Sequence, residues 1–268
     1  MTILNEWKHD YYDVWLNIRF EFLKNWKSKR SLIAVGISVA LSSLFYLFPL
    51  LTASDFPSEA NEFLATSMGL MNYILLLNAI FFGADAINGE HYKKTTFLIY
   101  PLPQRRSVIL FGKFITHLLT SWGVILIYYL ITNFETVLIY DINALTVDLL
   151  KSILFSFLYM GTLLSITFFL SAFIRNPAIS MALTFFLFFL LLPTLNTLLL
   201  MIDFDSSWIL TNYSGFITKF FRFPSDIFGP RHLRSPDDVD FYLGIRICLI
   251  YALISFVGAW FFASRKEI

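Results

Sequence analysis

Six long apolar runs, at about residues 32–52, 64–86, 109–132, 149–174, 177–202 and 242–263, alternate with shorter polar stretches along the chain. Each run is long enough for a helix to cross the hydrocarbon core, which takes about 20 residues. None shows the period-two alternation of a membrane barrel strand, and the helix is the other backbone form that satisfies its own polar groups in lipid. The pattern predicts an all-α membrane protein with six transmembrane helices in one transmembrane domain, residues 1–268. Pro49 in the first span and Pro193 in the fifth are expected to kink their helices, which membrane bundles tolerate. Between spans 4 and 5 stand only Arg175, Asn176 and Pro177, so those two helices are expected to be antiparallel neighbours.

Three stretches outside the spans carry their own patterns. Over residues 6–27, Trp7, Tyr11, Val14, Trp15, Ile18, Phe22 and Trp26 recur at three- and four-residue spacing, while Lys8, Asp10, Asp13, Asn17, Glu21 and Lys24 take the other faces. That is an amphipathic helix expected to lie in the membrane interface, apolar side down, as an elbow ahead of the first span. The alternative is an amphipathic leader with no mechanical role. Residues 88–107 are too polar and too interrupted by proline to cross a bilayer. From Gly89, residues 90–100 predict about three helical turns, stopped by Pro101 and Pro103. Phe97 and Leu98 then form an apolar knob framed by Lys93, Lys94, Arg105 and Arg106. Such a surface suits a groove on another protein, although the residues alone favour a cationic interfacial loop that holds topology and binds anionic headgroups. The connection over 203–241 is aromatic and amphipathic in its first half. It reads either as two short helices re-entering the outer leaflet or as a loop resting on headgroups.

Composition agrees with the pattern. The chain of 268 residues is 57% hydrophobic and 15% charged, with 31 Phe, and its mean hydropathy is +0.67. A soluble domain of that size has no means of hiding so much apolar surface. The net charge of +1 gives no support for nucleic-acid binding, and the single Cys248 excludes an intrachain disulfide or a cysteine metal cluster. The first 31 residues are charged throughout and lack a cleavable leader's short apolar core, so the first span is expected to direct insertion. Placing the N-terminus inside puts 14 of the 20 basic residues on the cytoplasmic side. Most loop acids, among them Asp55, Glu59, Glu62, Asp141, Asp148, Asp203 and Asp205, then fall outside. That asymmetry predicts a multi-pass cell-membrane protein with both termini cytoplasmic.

Candidate chemistry is sparse. Asp85, Asn88 and Glu90, at the inner end of span 2, are placed to pair with Arg105, Arg106 or Lys113, chiefly as an interfacial cluster that holds the loop. Asn72, Asn78, His117 and Asn196 lie within spans, where interhelical hydrogen bonds worth roughly 0.6 kcal/mol each explain most polar residues. His117 has no histidine or carboxylate three or four residues away, so no metal site is expected, and no nucleophile with a base is in evidence.

Residues 90–113 resemble the signature of ABC-2 type transporter permeases, the membrane subunits of ATP-driven exporters. In register stand Glu90, Thr95, Leu98 and Ile99, Pro103, Arg106 and then Gly112-Lys113. The chain departs at Lys94, where the family favours glycine, and at Tyr92, where it favours a second acid. The six spans, the N-terminal amphipathic helix and the long 5–6 outer loop match the same layout. The resemblance implies a type V exporter-like permease domain, with a cytoplasmic coupling helix between spans 2 and 3 that docks on a separate ABC ATPase. Residues Glu90, Lys94, Thr95, Phe97, Leu98, Pro103 and Arg106 would make that dock, assisted by the elbow residues Trp7, Tyr11, Trp15, Ile18 and Phe22. It further implies pairing with a second permease subunit, a homodimer being expected. Gly112-Lys113 lacks the upstream glycine and following Ser/Thr of a phosphate loop. ATP and Mg2+ are therefore expected on the partner, and no cofactor on this chain. Two other classes stay open: a non-transporting anchor that recruits a cytoplasmic partner, and a membrane enzyme acting on lipid-linked substrates.

Overall fold

The computed structural model describes residues 3–92, 106–140, 147–202, 204, 206–221 and 241–265. Helix α1 (Ile3–Trp26) is joined by Lys27 and Ser28 to α2 (Lys29–Ser42), whose first turn is capped by the Ser28 hydroxyl accepting from the Ser31 N–H at 3.2 Å. The first apolar run continues as α3 (Leu44–Thr52), the second is α4 (Ala60–Gly69) with α5 (Met71–Gly83), and a short α6 (Asn88–Tyr92) follows. Span 3 is α7 (Arg106–Tyr140) and span 4 is α8 (Val147–Phe173). Span 5 joins α9 (Pro177–Phe185), a π-helical turn (Phe186–Leu191) and α10 (Leu192–Met201). After it come a 3-10 turn (Leu210–Tyr213) and the single-turn α11 (Phe216–Lys219), then α12 (Phe241–Arg265) as span 6.

Five stretches, 60–83, 107–140, 147–173, 177–199 and 241–263, are long and apolar enough to cross a membrane. The pair α2 and α3, bent by 46°, supplies the sixth. All six apolar runs are thus helical, and the all-α membrane class holds. Local details differ from the expectation. Span 1 breaks at Ser43, ahead of Pro49, because the Ser42 hydroxyl bonds back to the Val39 carbonyl at 2.9 Å in a Ser-Ser pair and so bends the helix. Span 5 does not simply kink at Pro193. Its ring crowds the carbonyl four residues back, and the chain answers with a wider π turn in which the Leu192 N–H reaches the Leu187 carbonyl. Helix α7 runs eight residues past the predicted end of span 3 at 132.

The core is built around α8, against which α12, α5 and α7 all pack. Helices α5 and α8 approach so closely at Gly83 that a Cβ there would lie 1.8 Å from Thr167 Oγ1, so only glycine fits. Polar groups inside the bundle bond across helices. Tyr129 OH sits 2.7 Å from Ser152 Oγ and 2.8 Å from Ser156 Oγ, Trp122 donates to the Phe157 carbonyl at 3.3 Å, and Thr162 donates to the Cys248 carbonyl at 3.1 Å. The carboxamides depart from that rule. Asn72, Asn78 and Asn196 each keep one buried side-chain atom without a hydrogen-bond partner among the described residues.

At the end of the bundle that the charge pattern assigns to the outside, Ser206–Phe221 folds back as two short helical turns packed against α4, α8 and α12, with Leu210, Tyr213, Phe216, Ile217 and Phe221 buried. Ser152 donates to the Ile217 carbonyl at 2.7 Å, five residues into α8 and so about 7 Å below its start. Protein covers this returning backbone, the condition under which re-entrant chain is tolerated at membrane depth. The second half of the predicted loop, 222–240, lies outside the described residues.

Candidate functional site

At the opposite end of the bundle, the end that the charge pattern assigns to the inside, the helices meet in a cluster of charges assembled from four elements. Helix α1 presents two faces. Its polar stripe, Asp13, Asn17, Glu21 and Asn25, recurs every fourth residue and turns inward, with Asp13, Glu21 and Asn25 buried. Its aromatic stripe turns outward: Trp15 is 58% and Trp26 71% exposed, and Phe22 stacks on Trp26 at 6.2 Å. The aromatic face is thus the one turned away from the rest of the bundle. The polar face packs on protein, against the inner part of α7.

Gly112 makes that packing possible. A Cβ at this position would lie 2.9 Å from Asn17 Cβ and 3.5 Å from the Val14 carbonyl oxygen, so any side chain would force α1 away from α7. One turn further along, Thr116 donates to the Ile18 carbonyl at 3.4 Å, and Asn25 Nδ2 donates to His117 Nδ1 at 3.1 Å. The His117 ring packs edge-on against Phe168 at 5.7 Å, which keeps it a core residue with an interhelical hydrogen bond.

Glu90 stands at the centre of the cluster. Its carboxylate pairs with Lys113 from α7, and Lys24 from α1 reaches it at 3.4 Å while also holding Glu21 at 3.0 Å. Lys113 is only 5% exposed, so its charge is neutralised almost wholly by protein. Burial pushes the Glu90 carboxyl up. Lys113 and then Lys24 outweigh that and hold it below the ordinary value of 4.5. Burial likewise lowers Lys24, and Glu21 and Glu90 together carry it above 10.5.

Helix α6 is tied down on two further sides. The Ile87 and Asn88 backbone N–H groups both donate to Ser171 Oγ of α8, at 3.0 and 3.3 Å, which satisfies orphan donors at the helix start. Asp85, just ahead of it, pairs with Arg30 in the first turn of α2. The sequence placed Asp85 and Glu90 opposite basic residues of their own loop or of α7. The structure adds Lys24 and Arg30 from the N-terminal segment, some 55 and more residues away. The signal that would have found them is the four-residue polar stripe of α1, too regular for a face turned to water. Asn88 is buried, with both side-chain polar atoms lacking a partner among the described residues.

Of the expected docking residues, Glu90 alone has a described side chain. Lys94, Thr95, Phe97, Leu98 and Pro103 lie outside the described residues, and Arg106 is the first residue of α7. Of the elbow set, Trp15 and Phe22 face outward, and Ile18 is half-buried against α7. Trp7 and Tyr11 fall within α1, their side chains outside the description.

Among the described residues this cluster has no nucleophile and base in contact. Its chemistry is mechanical: ion pairs and one close backbone approach join a short helix to four longer ones. Over residues 17–205 the chain matches the family described as ABC-2 family transporter protein, a stretch that holds α1 from Asn17, the whole cluster and spans 1 to 5. No curated protein matches the chain.

Proposed function

The chain belongs to the ABC-2 transporter family and is a membrane permease component of an ABC transporter; from that premise we propose that it is one half of an ATP-driven exporter. A second copy completes the pair. Each copy docks by its coupling segment, residues 88–107, on a separate cytoplasmic ATPase that holds the ATP and Mg2+, and both termini face the cytoplasm. The observation that carries this reading is the meeting of Glu90 with Lys113 and Lys24. Glu90 lies near the start of that segment and Lys113 just beyond its end, and here the two residues pair with each other and Glu90 with Lys24 of the elbow helix.

The mechanism follows from rigid attachment. When two ATPases close on ATP, each displaces its docking segment. Helix α6 moves with it and pulls on α7 through Lys113, on α1 through Lys24, on α8 through Ser171 and on α2 through Asp85 and Arg30. Packed helices respond by switching between discrete arrangements rather than by bending gradually. The displacement therefore shifts the pair between inward- and outward-facing populations. The aromatic face of α1 lies in the inner leaflet's interface and gives the elbow a surface to slide on.

Replacing Phe97 and Leu98 by Asp tests the dock. The expected result is loss of the co-purifying ATPase from a protein that still inserts with six spans. Unchanged pull-down together with continued transport removes the docking assignment.

A further inference from the structure

Glu135 of α7 stands where span 1 breaks. Its carboxyl faces the Ser43 hydroxyl, at the joint where α3 leaves α2 by 46°. Ser43 follows the 14 residues of α2, about 21 Å of helix in a hydrocarbon core about 30 Å thick. The carboxyl is therefore at membrane depth, in the half away from the Glu90 cluster. It is also inside the protein, at 5% exposure. Among the described residues no Lys, Arg or His pairs with it, and its Oε2 has no hydrogen-bond partner.

A second free acceptor stands beside it. Thr132, one turn back on the same face of α7, is fully buried, and its Oγ1 has no partner among the described residues either. Nearby polar groups are already engaged. Thr136 donates to the Thr132 carbonyl at 2.7 Å, and the Tyr128 hydroxyl donates to the Ser67 carbonyl of α4. On the next face of α7, Phe134 and Leu138 are exposed. Helix α3 is exposed along most of its length, at Leu44, Leu47, Phe48, Leu50 and Leu51, so a swing at Ser43 uncovers the carboxyl without opening the core.

Those atoms select the occupant. A carboxyl at membrane depth needs a proton or a cationic partner. A proton on Oε2 serves one of the two free acceptors. A metal ion bound through oxygen takes about six ligands, more than Glu135, Thr132 and Ser43 supply. A protonated primary amine brings enough N–H donors for Oε2 and Thr132 Oγ1 together, and an apolar tail on it meets Phe134 and Leu138. We propose that Glu135 is the recognition residue for a cationic amphiphile, a protonated amine on an apolar body. The inference deepens the exporter reading and rests on it in one respect, that the amphiphile is the cargo.

The test is equilibrium binding of radiolabelled decylamine to the full chain in phosphatidylcholine nanodiscs, with protein-free discs subtracted. Glu135→Gln is expected to weaken binding by roughly ten-fold or more, as loss of a charge-assisted contact does, and Thr132→Val by about three-fold. Glu135→Asp should keep part of the affinity. Uncharged N-decylacetamide and sodium chloride should not displace the amine. A second measurement needs no variant: dicyclohexylcarbodiimide should couple bound decylamine to the wild-type protein as an amide on Glu135, ahead of Glu62 and Asp148. Four results overturn the proposal: undiminished binding by Glu135→Gln, displacement by N-decylacetamide, displacement by sodium, which would make the occupant a metal ion, or coupling spread evenly over the three carboxyls. Binding needs no ATPase. Bound decylamine that ATP does not move, in vesicles holding the ATPase, would overturn the exporter reading and leave the site standing.

Discussion

The two ends of the bundle are closed by different physics. At the inner end, α1, α6 and α7 are joined by Glu90, Lys113 and Lys24, with Gly112 permitting the contact. At the outer end, Ser206–Phe221 is held by an aromatic cluster in which Phe216 meets Phe155 at 5.5 Å and Phe241 at 5.4 Å. Apolar burial is non-directional and indifferent to pH, so the outer end behaves as a packed lid. An ion-paired joint is directional and charge-dependent, and its parts separate or re-form without remaking a core. In the proposed mechanism the inner end is the place where force enters and the outer end is the part carried along.

Mutation should separate the two kinds of closure. Phe216→Ala is expected to cost about 3–5 kcal/mol, because a large buried ring leaves a cavity, and no neighbouring change should restore it. Lys113→Met is expected to cost roughly 3 kcal/mol, because it leaves the largely buried Glu90 carboxylate with only the more exposed Lys24 as its partner. Here, however, the double variant with Glu90→Leu should recover most of the loss. Thermal unfolding in detergent reads both, and absence of recovery in the double variant would put the inner end on the same apolar footing as the outer. Gly112→Val should cost about 1–3 kcal/mol by overpacking against Asn17, with increased proteolysis of α1 as its separate signature.

How much of this was legible beforehand divides along the same line. The six spans follow from run length alone, since the bilayer sets both the length and the apolarity of a crossing helix. The packing of the aromatic outer stretch was one of two open readings. Its sequence states a wish to leave water but not whether lipid or protein receives it. The inner cluster was half visible. The register around Glu90 and Lys113 could be read, whereas the Lys24 and Arg30 contacts depend on where α1 folds back. That path is decided by Gly112 and by the inward polar stripe, through contacts far apart in sequence. The break at Ser43 and the π turn before Pro193 were misplaced because a local rule locates the strain, while the bundle chooses where to relieve it.

Acid offers a finer probe. Folding lowers the Glu90 pKa, so its contribution is complete above the ordinary 4.5 and is lost as pH falls through the lowered folded value. Lys24 is raised, so its share is complete below 10.5 and lost only above the raised value. The stability gap between wild type and Glu90→Gln, measured from pH 7 down to about pH 3, should close in acid, while the gap for Phe216→Ala stays open. Arg30→Gln gives the smallest expected effect. Arg30 is 44% exposed, so its pair with Asp85 should contribute no more than about 1 kcal/mol, and less in high salt. A larger loss would make the α2 contact an equal member of the joint.

In the proposed mechanism the Glu90 joint transmits movement and does more than hold the fold. Spin labels at Leu50 and Leu138, exposed positions at the outer ends of spans 1 and 3, report that movement in vesicles containing the co-purifying ATPase. ATP is predicted to shift the label distance in wild type and to leave it unchanged in the Glu90→Leu, Lys113→Met double variant, with ATPase binding intact in both. An equal ATP-driven shift in the double variant would contradict the account.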